Sequence, residues 1–308
     1  MGTDPFAGNG PRDAHDAHDA HETVSTSVGV LLDGVARYLA GPDDPPARAD
    51  ARDLIAAILD RPRFWPTANR DRVLEDDLAE RIVGAAEKLK TGMPMQYAVG
   101  RAAFRHLTLH VDQRVLIPRP ETELLVEIAL ALAGGGGTVA DICTGSGAVA
   151  LALASEGQFD RVIATDISAD ALDVARTNLA AIAEDRRGVV EFRQGDLLAP
   201  ILGERVRAVV TNPPYISPSE LADLPADVRD WEPHLALFSA DDGMAAIRAI
   251  VRDAPAVLEP GGILVMEIDA RRAGLARDAA ATDSRYCDVE LRLDLTGRER
   301  FLVARHKE

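Results

Sequence analysis

The chain has 308 residues, of which 47% are hydrophobic and 27% are charged. This composition is that of an ordinary globular protein, and it excludes a fibrous or wholly disordered one. The length predicts one large domain and one smaller domain. A formal net charge of −16 disfavours a broad nucleic acid surface, because duplex binding needs Lys and Arg that displace condensed counterions. We therefore expect no direct nucleic acid partner.

The sequence gives no sign of a membrane segment or of a metal site. No apolar run reaches the ~18–20 residues that a bilayer span requires, and the N-terminus lacks the order of a signal peptide. Cys143 and Cys287 are too few for a disulfide framework and lie outside any metal-ligand spacing. We expect a cytoplasmic protein without membrane contact, with both thiols reduced and with no bound metal.

The first third of the chain contains a tail followed by a helical region. Residues 1–23 are rich in Gly, Asp, Ala and His, which predicts a disordered tail. His15, His18 and His21 recur every third residue within an Asp and Ala repeat, so we expect low complexity and at most adventitious metal binding. From 24 to 92, apolar residues recur at helical spacing between proline breaks, which predicts a small helical domain.

Residues 93–120 change character and predict a linker built as a β-hairpin. Apolar residues alternate with polar ones or stand next to each other in this segment, and Pro118 and Pro120 end the predicted hairpin. The next helix is predicted from Glu121 to Ala133, with acidic residues in its first turn. The apolar positions assigned to the hairpin are Phe104, Leu107, Leu109, Val111 and Val115–Ile117.

Residues 121–308 alternate strands with helices, which predicts an α/β fold with a doubly wound parallel sheet. The last two strands, joined around Gly297, read as a terminal hairpin. The predicted strands are Thr138–Cys143, Arg161–Asp166, Val189–Asp196, Arg207–Asn212, Gly261–Ile268, Cys287–Asp294 and Arg300–Arg305. The predicted helices between the first five strands include Ala148–Ser155, Ala169–Ala183 and Met244–Leu258.

A glycine-rich turn, Asp141–Gly147, joins the first predicted strand to a helix, where such sheets bind nucleotide-like ligands. Asp166 ends the second strand and can accept hydrogen bonds from both hydroxyls of a ribose, although a helix cap is its simpler role. Asp196 and Leu197 follow the third strand and could meet the amino group and the face of an adenine. The full G-x-G-x-x-G of nicotinamide enzymes is absent, so the spacing favours a methyltransferase and predicts S-adenosylmethionine as cofactor.

Asn212-Pro213-Pro214-Tyr215 follows the fourth strand at the edge where the sheet order reverses. The Asn212 side-chain carbonyl and the Pro213 backbone carbonyl can each accept one N–H of a planar nitrogen substrate. Tyr215 can supply a flat wall beside it. A rigid turn is the structural alternative for such a run. In this setting the tetrapeptide predicts methyl transfer to a planar amide or amine nitrogen.

With these residues in place, the chain resembles the release-factor glutamine methyltransferases, the HemK/PrmC-like family, over about residues 25–308. The resemblance implies a Rossmann-like seven-stranded methyltransferase domain behind a helical N-terminal domain and a linking hairpin. It also implies, as substrate, the glutamine of a Gly-Gly-Gln loop in peptide chain release factors, methylated on its side-chain nitrogen (N5) in support of translation termination. The runs that carry it are Gly92–Tyr97, Val115–Glu123, Asp141–Gly147, Ala164–Ser168, Asn212–Ile216 and Trp231–Phe238.

The resemblance assigns roles to particular residues. Asn212, Pro213, Pro214 and Tyr215 would hold the glutamine amide, and Arg119 to Glu121 would lie beside the cofactor and the glutamine entrance. The residues that match the family's cofactor contacts are Cys143, Thr144, Gly145, Ser146, Gly147, Asp166, Leu197 and Asn212.

Two residues depart from the family pattern. Cys143 stands where the family usually has Gly, which could narrow the approach to the methionine end of the cofactor. Asp269 replaces the Gly of the usual E-I-G after the fifth strand.

Two other functions stay open at this point. The same tetrapeptide serves adenine-N6 or guanine-N2 nucleic-acid methyltransferases, which act on a flipped base. A non-catalytic partner that holds cofactor and release factor is the second alternative. Under the favoured function we expect a monomer whose domain at residues 24–92 docks the body of the release factor.

Overall fold

The computed structural model describes residues 26–307, so the predicted tail at residues 1–23 lies outside the described residues. The chain divides into two compact units, one ending at Val83 and the other beginning at Gly84. The predicted domain limits at residues 92 and 120 remain predictions.

The first unit is helical. Its first helix begins at Val28 because the Ser27 hydroxyl oxygen caps it by accepting a hydrogen bond from the backbone N–H of Val30 at 3.4 Å. Apolar side chains recur at helical spacing on the first two helices and are buried, among them Leu31, Val35, Leu54 and Ile55. The helices are α1 Val28–Leu39, α2 Arg48–Leu59, α3 Trp65–Ala68 and α4 Asp76–Lys90, the last of which runs through the division between the units.

The second unit carries a two-stranded hairpin and a large sheet with its helices. The strands are β1 Arg101–Phe104, β2 Leu107–His110, β3 Thr138–Ile142, β4 Arg161–Asp166, β5 Val190–Gln194, β6 Val206–Thr211, β7 Leu258–Glu267, β8 Tyr286–Leu293 and β9 Glu299–His306. The helices are α5 Met95–Val99, α6 Pro120–Ala133, α7 Ala148–Glu156, α8 Ala169–Asn178, α9 Glu184–Arg187, α10 Ala226–Trp231, α11 His234–Leu237, α12 Ala245–Asp253 and α13 Ala273–Thr282.

The large sheet has seven strands in the order β5-β4-β3-β6-β7-β9-β8. The first five of these strands pair in parallel, and β9 runs antiparallel to both β7 and β8. Strands β3, β4 and β6 are almost wholly buried, as expected for parallel strands covered on both faces. The predicted α/β fold with a seven-stranded sheet is confirmed. The chain leaves β3 in one direction for β4 and β5, and in the other for β6 and β7, so the ligand-binding switch point lies between β3 and β6.

Three details of the prediction were wrong, namely the ends of two helices and the extent of the hairpin. The helix predicted over Ala169–Ala183 ends at Asn178, and a 3₁₀ turn over Leu179–Ala181 follows. Val115–Ile117 is not part of the hairpin, which consists of β1 and β2 alone. Val115 and Ile117 are nevertheless buried, and the Val115 carbonyl accepts a hydrogen bond from the Tyr97 hydroxyl at 2.5 Å. Alternating apolar residues bury one face of an extended segment whether or not it pairs with a strand.

The helix predicted to end at Leu258 ends at Asp253 instead. A 3₁₀ turn over Ala254–Ala256 follows, because Pro255 has no backbone N–H with which to continue the α-helix. Leu258 then begins β7.

Candidate active site

The glycine-rich turn leaves β3 at Ile142 and enters α7 at Ala148. Three of its residues have left-handed backbone: Cys143 at φ 60°, Gly145 at φ 54° and Gly147 at φ 82°. Glycine adopts this conformation freely, whereas a side chain there costs about 1–2 kcal/mol. Cys143 therefore occupies a position whose geometry favours glycine.

Asp141 braces this turn from inside the protein. Its side chain accepts hydrogen bonds from the Thr144 hydroxyl at 2.6 Å and from the Ala150 backbone N–H at 3.0 Å. Only 1% of Asp141 is exposed, and burial raises the pKa of its carboxyl to about 7. Asp141 thus orders the turn around the predicted cofactor residues.

Asp166 ends β4 and faces the turn. Its two carboxylate oxygens accept the backbone N–H of Gly145 and that of Ser168, each at 2.9 Å. Burial raises the pKa of this carboxyl above its usual range. A carboxylate has about four acceptor positions, and the backbone N–H of Ile167 also bonds to this one, so at least one position remains for a ligand.

Gly195, Asp196 and Leu197 follow β5 at the same edge of the sheet. A Cβ on Gly195 would lie 2.4 Å from Cγ of Pro200, so this position accepts glycine alone without rearrangement. Leu197 has φ 44°, and its carbonyl accepts a hydrogen bond from the Thr165 hydroxyl at 3.3 Å. The backbone of this segment is thereby fixed.

Asn212 begins the tetrapeptide immediately after β6. Its side-chain N–H donates to the Thr122 hydroxyl at 3.2 Å, and that hydroxyl donates to Oε2 of Glu267 at 2.7 Å. Pro213 is buried, and the half-buried Tyr215 packs against the apolar cluster on one face of the sheet. Burial raises the pKa of the Tyr215 hydroxyl, which stays protonated at neutral pH.

Arg119 and Glu232 form an ion pair at 2.5 Å between segments that are far apart in the sequence. The Glu232 side chain is only 1% exposed, and burial raises the pKa of its carboxyl. Arg119 precedes α6 as its N-cap residue. Glu121 lies in the first turn of α6 and is exposed.

A cavity of about 460 Å³ lies at this edge of the sheet, and a smaller one of about 50 Å³ adjoins it. Predicted site residues that line the larger cavity are Cys143, Gly145, Asp166, Asp196, Leu197, Asn212 and Pro214. Those that line the smaller one are Arg119, Cys143, Thr144, Gly145, Ser146 and Asn212. The residues that line neither of these two cavities are Glu121, Gly147, Pro213 and Tyr215.

Three polar residues at the site had no predicted role: Thr122, Glu232 and Glu267. Thr122 lies in the run Val115–Glu123, Glu232 lies in the run Trp231–Phe238, and Glu267 begins the E-I-D that replaces the usual E-I-G. Each is far along the chain from the residue that it contacts. Asp269, the second departure from the family pattern, accepts the Arg271 N–H at 2.8 Å and pairs with Arg271 and Arg272. It therefore orders the turn before α13.

Among residues 26–307, no group of His, Cys, Asp and Glu is arranged to hold a metal ion. Within the same residues, no helix combines the length and apolarity that crossing a membrane requires.

The doubly wound sheet with a cavity at its switch point is Rossmann-like, and the family match makes this part of the chain a methyltransferase domain. Residues 120–224 match the family model of the methyltransferase small domain, and residues 31–100 match the PrmC N-terminal domain. The hMettl16 catalytic domain, solved in complex with MAT2A 3'UTR hairpin 6, has a TM-score of 0.52 at 13% identity. That likeness covers 77% of this chain and 84% of the other, and it shows the fold alone.

Curated relatives identify the family. The chain is 39% identical over 286 residues to the release factor glutamine methyltransferase of Moorella thermoacetica, covering 90% of this chain and 98% of the relative. It is 44% identical over 230 residues to that of Mycolicibacterium smegmatis, covering 73% and 78%. The chain belongs to the release factor glutamine methyltransferase family, and the predicted family and enzyme class are confirmed.

Proposed function

We propose that this protein transfers a methyl group from S-adenosylmethionine to the side-chain amide nitrogen of the glutamine in the Gly-Gly-Gln loop of peptide chain release factors. One observation carries the proposal: Asn212 lines both cavities while its amide nitrogen is already engaged by Thr122 at 3.2 Å. Its carbonyl oxygen is therefore left to accept an N–H of the substrate. The names of the curated relatives supply the substrate class.

The larger cavity fits the cofactor. Its volume of about 460 Å³ lies within the ~300–1,000 Å³ typical of small-molecule sites. A Cβ on Gly145 would project into open space, with no atom within 4 Å, so the missing side chain leaves room for a ligand against the backbone. The remaining acceptor capacity of Asp166 suits a ribose hydroxyl, and the exposed carboxylate of Asp196 suits an adenine amino group.

We propose that S-adenosylmethionine binds to the side chains and backbone around Asp166 and Asp196. When bound, S-adenosylmethionine supplies a methyl group on a positively charged sulfur, which makes that methyl electrophilic. The residues that would hold it are Cys143, Thr144, Gly145, Ser146, Gly147, Asp166, Asp196, Leu197 and Asn212.

The chain's part in the chemistry is to position a poor nucleophile. An amide nitrogen reacts slowly because its lone pair is delocalised into the carbonyl group. In the proposal, Oδ1 of Asn212 and the Pro213 carbonyl each accept one N–H, which fixes the nitrogen and favours its tetrahedral form. Pro214 and Tyr215 limit how the planar group can turn, and Arg119 and Glu121 border its entrance.

Mass spectrometry of a release factor incubated with enzyme and cofactor tests this function. We expect one added methyl group, located by fragmentation on the glutamine of the Gly-Gly-Gln peptide. Asn212→Ala should lower kcat by about 10²–10³-fold, as for loss of one positioned hydrogen-bonding group, while cofactor affinity changes little. Label that enters only DNA or ribosomal RNA, or an Asn212→Ala variant with full activity, would contradict the proposal.

We further propose that the helical first unit docks the body of the release factor and that the reaction takes place in the cytoplasm. The catalytic segment can recognise only a small amide, so specificity needs a second surface. Phe64 has the largest exposed fraction, 69%, among the large apolar side chains of this unit that the structure describes, so it is available to a docking partner. The expected monomeric state stays a prediction.

Phe64→Ser should raise KM for an intact release factor by about tenfold, as for loss of a well-packed interface side chain. KM for a short Gly-Gly-Gln peptide should not change, because the peptide lacks the docking body. Leu295→Ser is the matched control, since Leu295 is a 96% exposed apolar residue of the second unit. Equal effects of Phe64→Ser on both substrates would count against docking.

A further inference from the structure

A chain of hydrogen bonds runs from the catalytic segment into the protein interior. Asn212 Nδ2 donates to Thr122 Oγ1 at 3.2 Å, and Thr122 Oγ1 donates to Glu267 Oε2 at 2.7 Å. Thr122 is 5% exposed and Glu267 is 2% exposed. The three residues lie on different segments: Thr122 in the first turn of α6, Asn212 immediately after β6 and Glu267 at the end of β7.

The donor count decides which way the Asn212 amide faces. A threonine hydroxyl has one proton and two lone pairs, whereas an ionised carboxylate can only accept. The hydroxyl proton of Thr122 is therefore committed to Glu267, and Thr122 can only accept from Asn212. A flipped Asn212 would point its oxygen at the Thr122 oxygen with no proton between them.

We propose that Thr122 and Glu267 are positioning residues that hold Asn212 with its amide nitrogen toward α6 and its carbonyl oxygen toward the substrate amide. This inference rests on the proposed function and adds two residues to its machinery. Neither residue touches the reacting atoms. They act through Asn212, and only while Glu267 accepts the hydroxyl proton.

The charge on Glu267 depends on the groups around it. Arg300 of β9 and Arg119 before α6 favour the ionised form, while Glu121 of α6 opposes it, and the Tyr215 hydroxyl also lies near. Burial outweighs the two arginines and raises the pKa of Glu267 to about 7. A protonated Glu267 can donate to Thr122, which frees the hydroxyl proton to meet Asn212 and favours the flipped amide.

Two substitutions of Thr122 test the relay. Thr122→Val removes the hydroxyl at nearly constant shape, and we expect kcat to fall by about 5–10-fold, the worth of one such hydrogen bond. KM for the cofactor should change little, whereas Tm should fall because the buried Glu267 carboxylate loses its hydroxyl donor. Thr122→Ser keeps the hydroxyl and should restore kcat. Thr282→Val is the matched control, because the exposed Thr282 hydroxyl bonds only to carbonyls of its own helix.

The pH profile separates positioning from packing. Wild-type kcat should rise from about pH 6 to about pH 8 as Glu267 ionises. Glu267→Gln cannot ionise and should abolish that rise, while its carbonyl oxygen can still accept the Thr122 hydroxyl proton. Asp141 also has a pKa of about 7, so a pKa fitted to the wild-type profile would not identify the titrating group. The test therefore compares the pH profile of the wild type with that of Glu267→Gln. A Thr122→Val enzyme within about twofold of wild type, a Thr122→Ser enzyme equally impaired, or identical pH profiles would overturn the relay. Absence of any transfer by the wild type would instead contradict the proposed function.

Discussion

Replacing Arg119 with Met should destabilise the second unit by stranding a buried carboxylate. The guanidinium lies 2.5 Å from Oε1 of Glu232, whose side chain is 1% exposed, whereas Arg119 is 33% exposed. Breaking a fully buried ion pair costs about 3–5 kcal/mol. Because a third of Arg119 meets solvent, which screens the pair, we expect a loss of about 2 kcal/mol.

The loss should depend on pH with a definite sign. Burial raises the folded-state pKa of Glu232 above its usual 4.5, while Arg119 opposes that rise. Without Arg119 the folded-state pKa rises further, so the folded variant holds a proton that the unfolded chain has lost, and its stability falls as pH rises. The extra loss of stability is absent at pH values below the pKa that Glu232 has in the wild type. It grows as the pH rises above that pKa, and it is complete above the higher pKa that Glu232 has in the variant.

Urea unfolding at pH 5 and at pH 8 measures this. The protein has two tryptophans, Trp65 and Trp231, so a Trp65→Phe background leaves Trp231, next to Glu232, as the fluorescent probe. Arg119→Met should cost more at pH 8 than at pH 5, and adding Glu232→Gln should recover part of the loss. The reasoning fails if the loss at pH 8 is under about 0.5 kcal/mol, the usual effect of a neutral surface change, or if it is the same at both pH values.

Two further substitutions probe the cofactor edge of the sheet. Asp166→Asn removes the charge that would accept a ribose hydroxyl and turns an amide N–H toward one of the two backbone N–H groups that Asp166 accepts. The calorimetric Kd for S-adenosylmethionine should therefore rise about tenfold or more; an unchanged Kd would remove Asp166 from the cofactor site. Gly195→Ala would place a Cβ 2.4 Å from Cγ of Pro200 and should cost about 1–3 kcal/mol in urea unfolding. Gly274→Ala, a helical site with no atom within 4 Å of the new Cβ, is its control and should be neutral or stabilising; equal losses for both would refute the steric argument.

The sheet could be predicted because each central strand is a short apolar run that ends at a recognisable residue. Asp166 ends β4 as predicted, and Asn212 follows β6 directly. Hydrophobic periodicity could not show that Val115–Ile117 lies outside the hairpin, because burial of alternate side chains does not require a neighbouring strand. Periodicity also predicted an α12 that is too long, because the apolar residues around Pro255 fit the spacing of a longer helix.

The side-chain partners at the site could not be predicted in the same way. Arg119 and Glu232 are 113 residues apart, and Thr122 and Glu267 are 145 residues apart. Both pairs meet only because α6 starts at the carboxyl edge of the sheet. Periodicity and spacing locate residues on elements, whereas a hydrogen bond between two elements depends on their tertiary approach to within a few tenths of an ångström.

The fold also explains why the tetrapeptide alone leaves the substrate open. Asn212 and Pro213 offer two acceptor oxygens, which suit any planar nitrogen with two N–H groups, whether amide or nucleobase. The family-specific runs at 115–123 and 231–238 are joined by the Arg119–Glu232 ion pair, and both contribute side chains to the wall of the larger cavity. The same first run also supplies Thr122, which holds Asn212. We therefore expect these two runs to select a protein glutamine. We expect the first turn of α6, which lies within the first run, to set the orientation of the Asn212 amide.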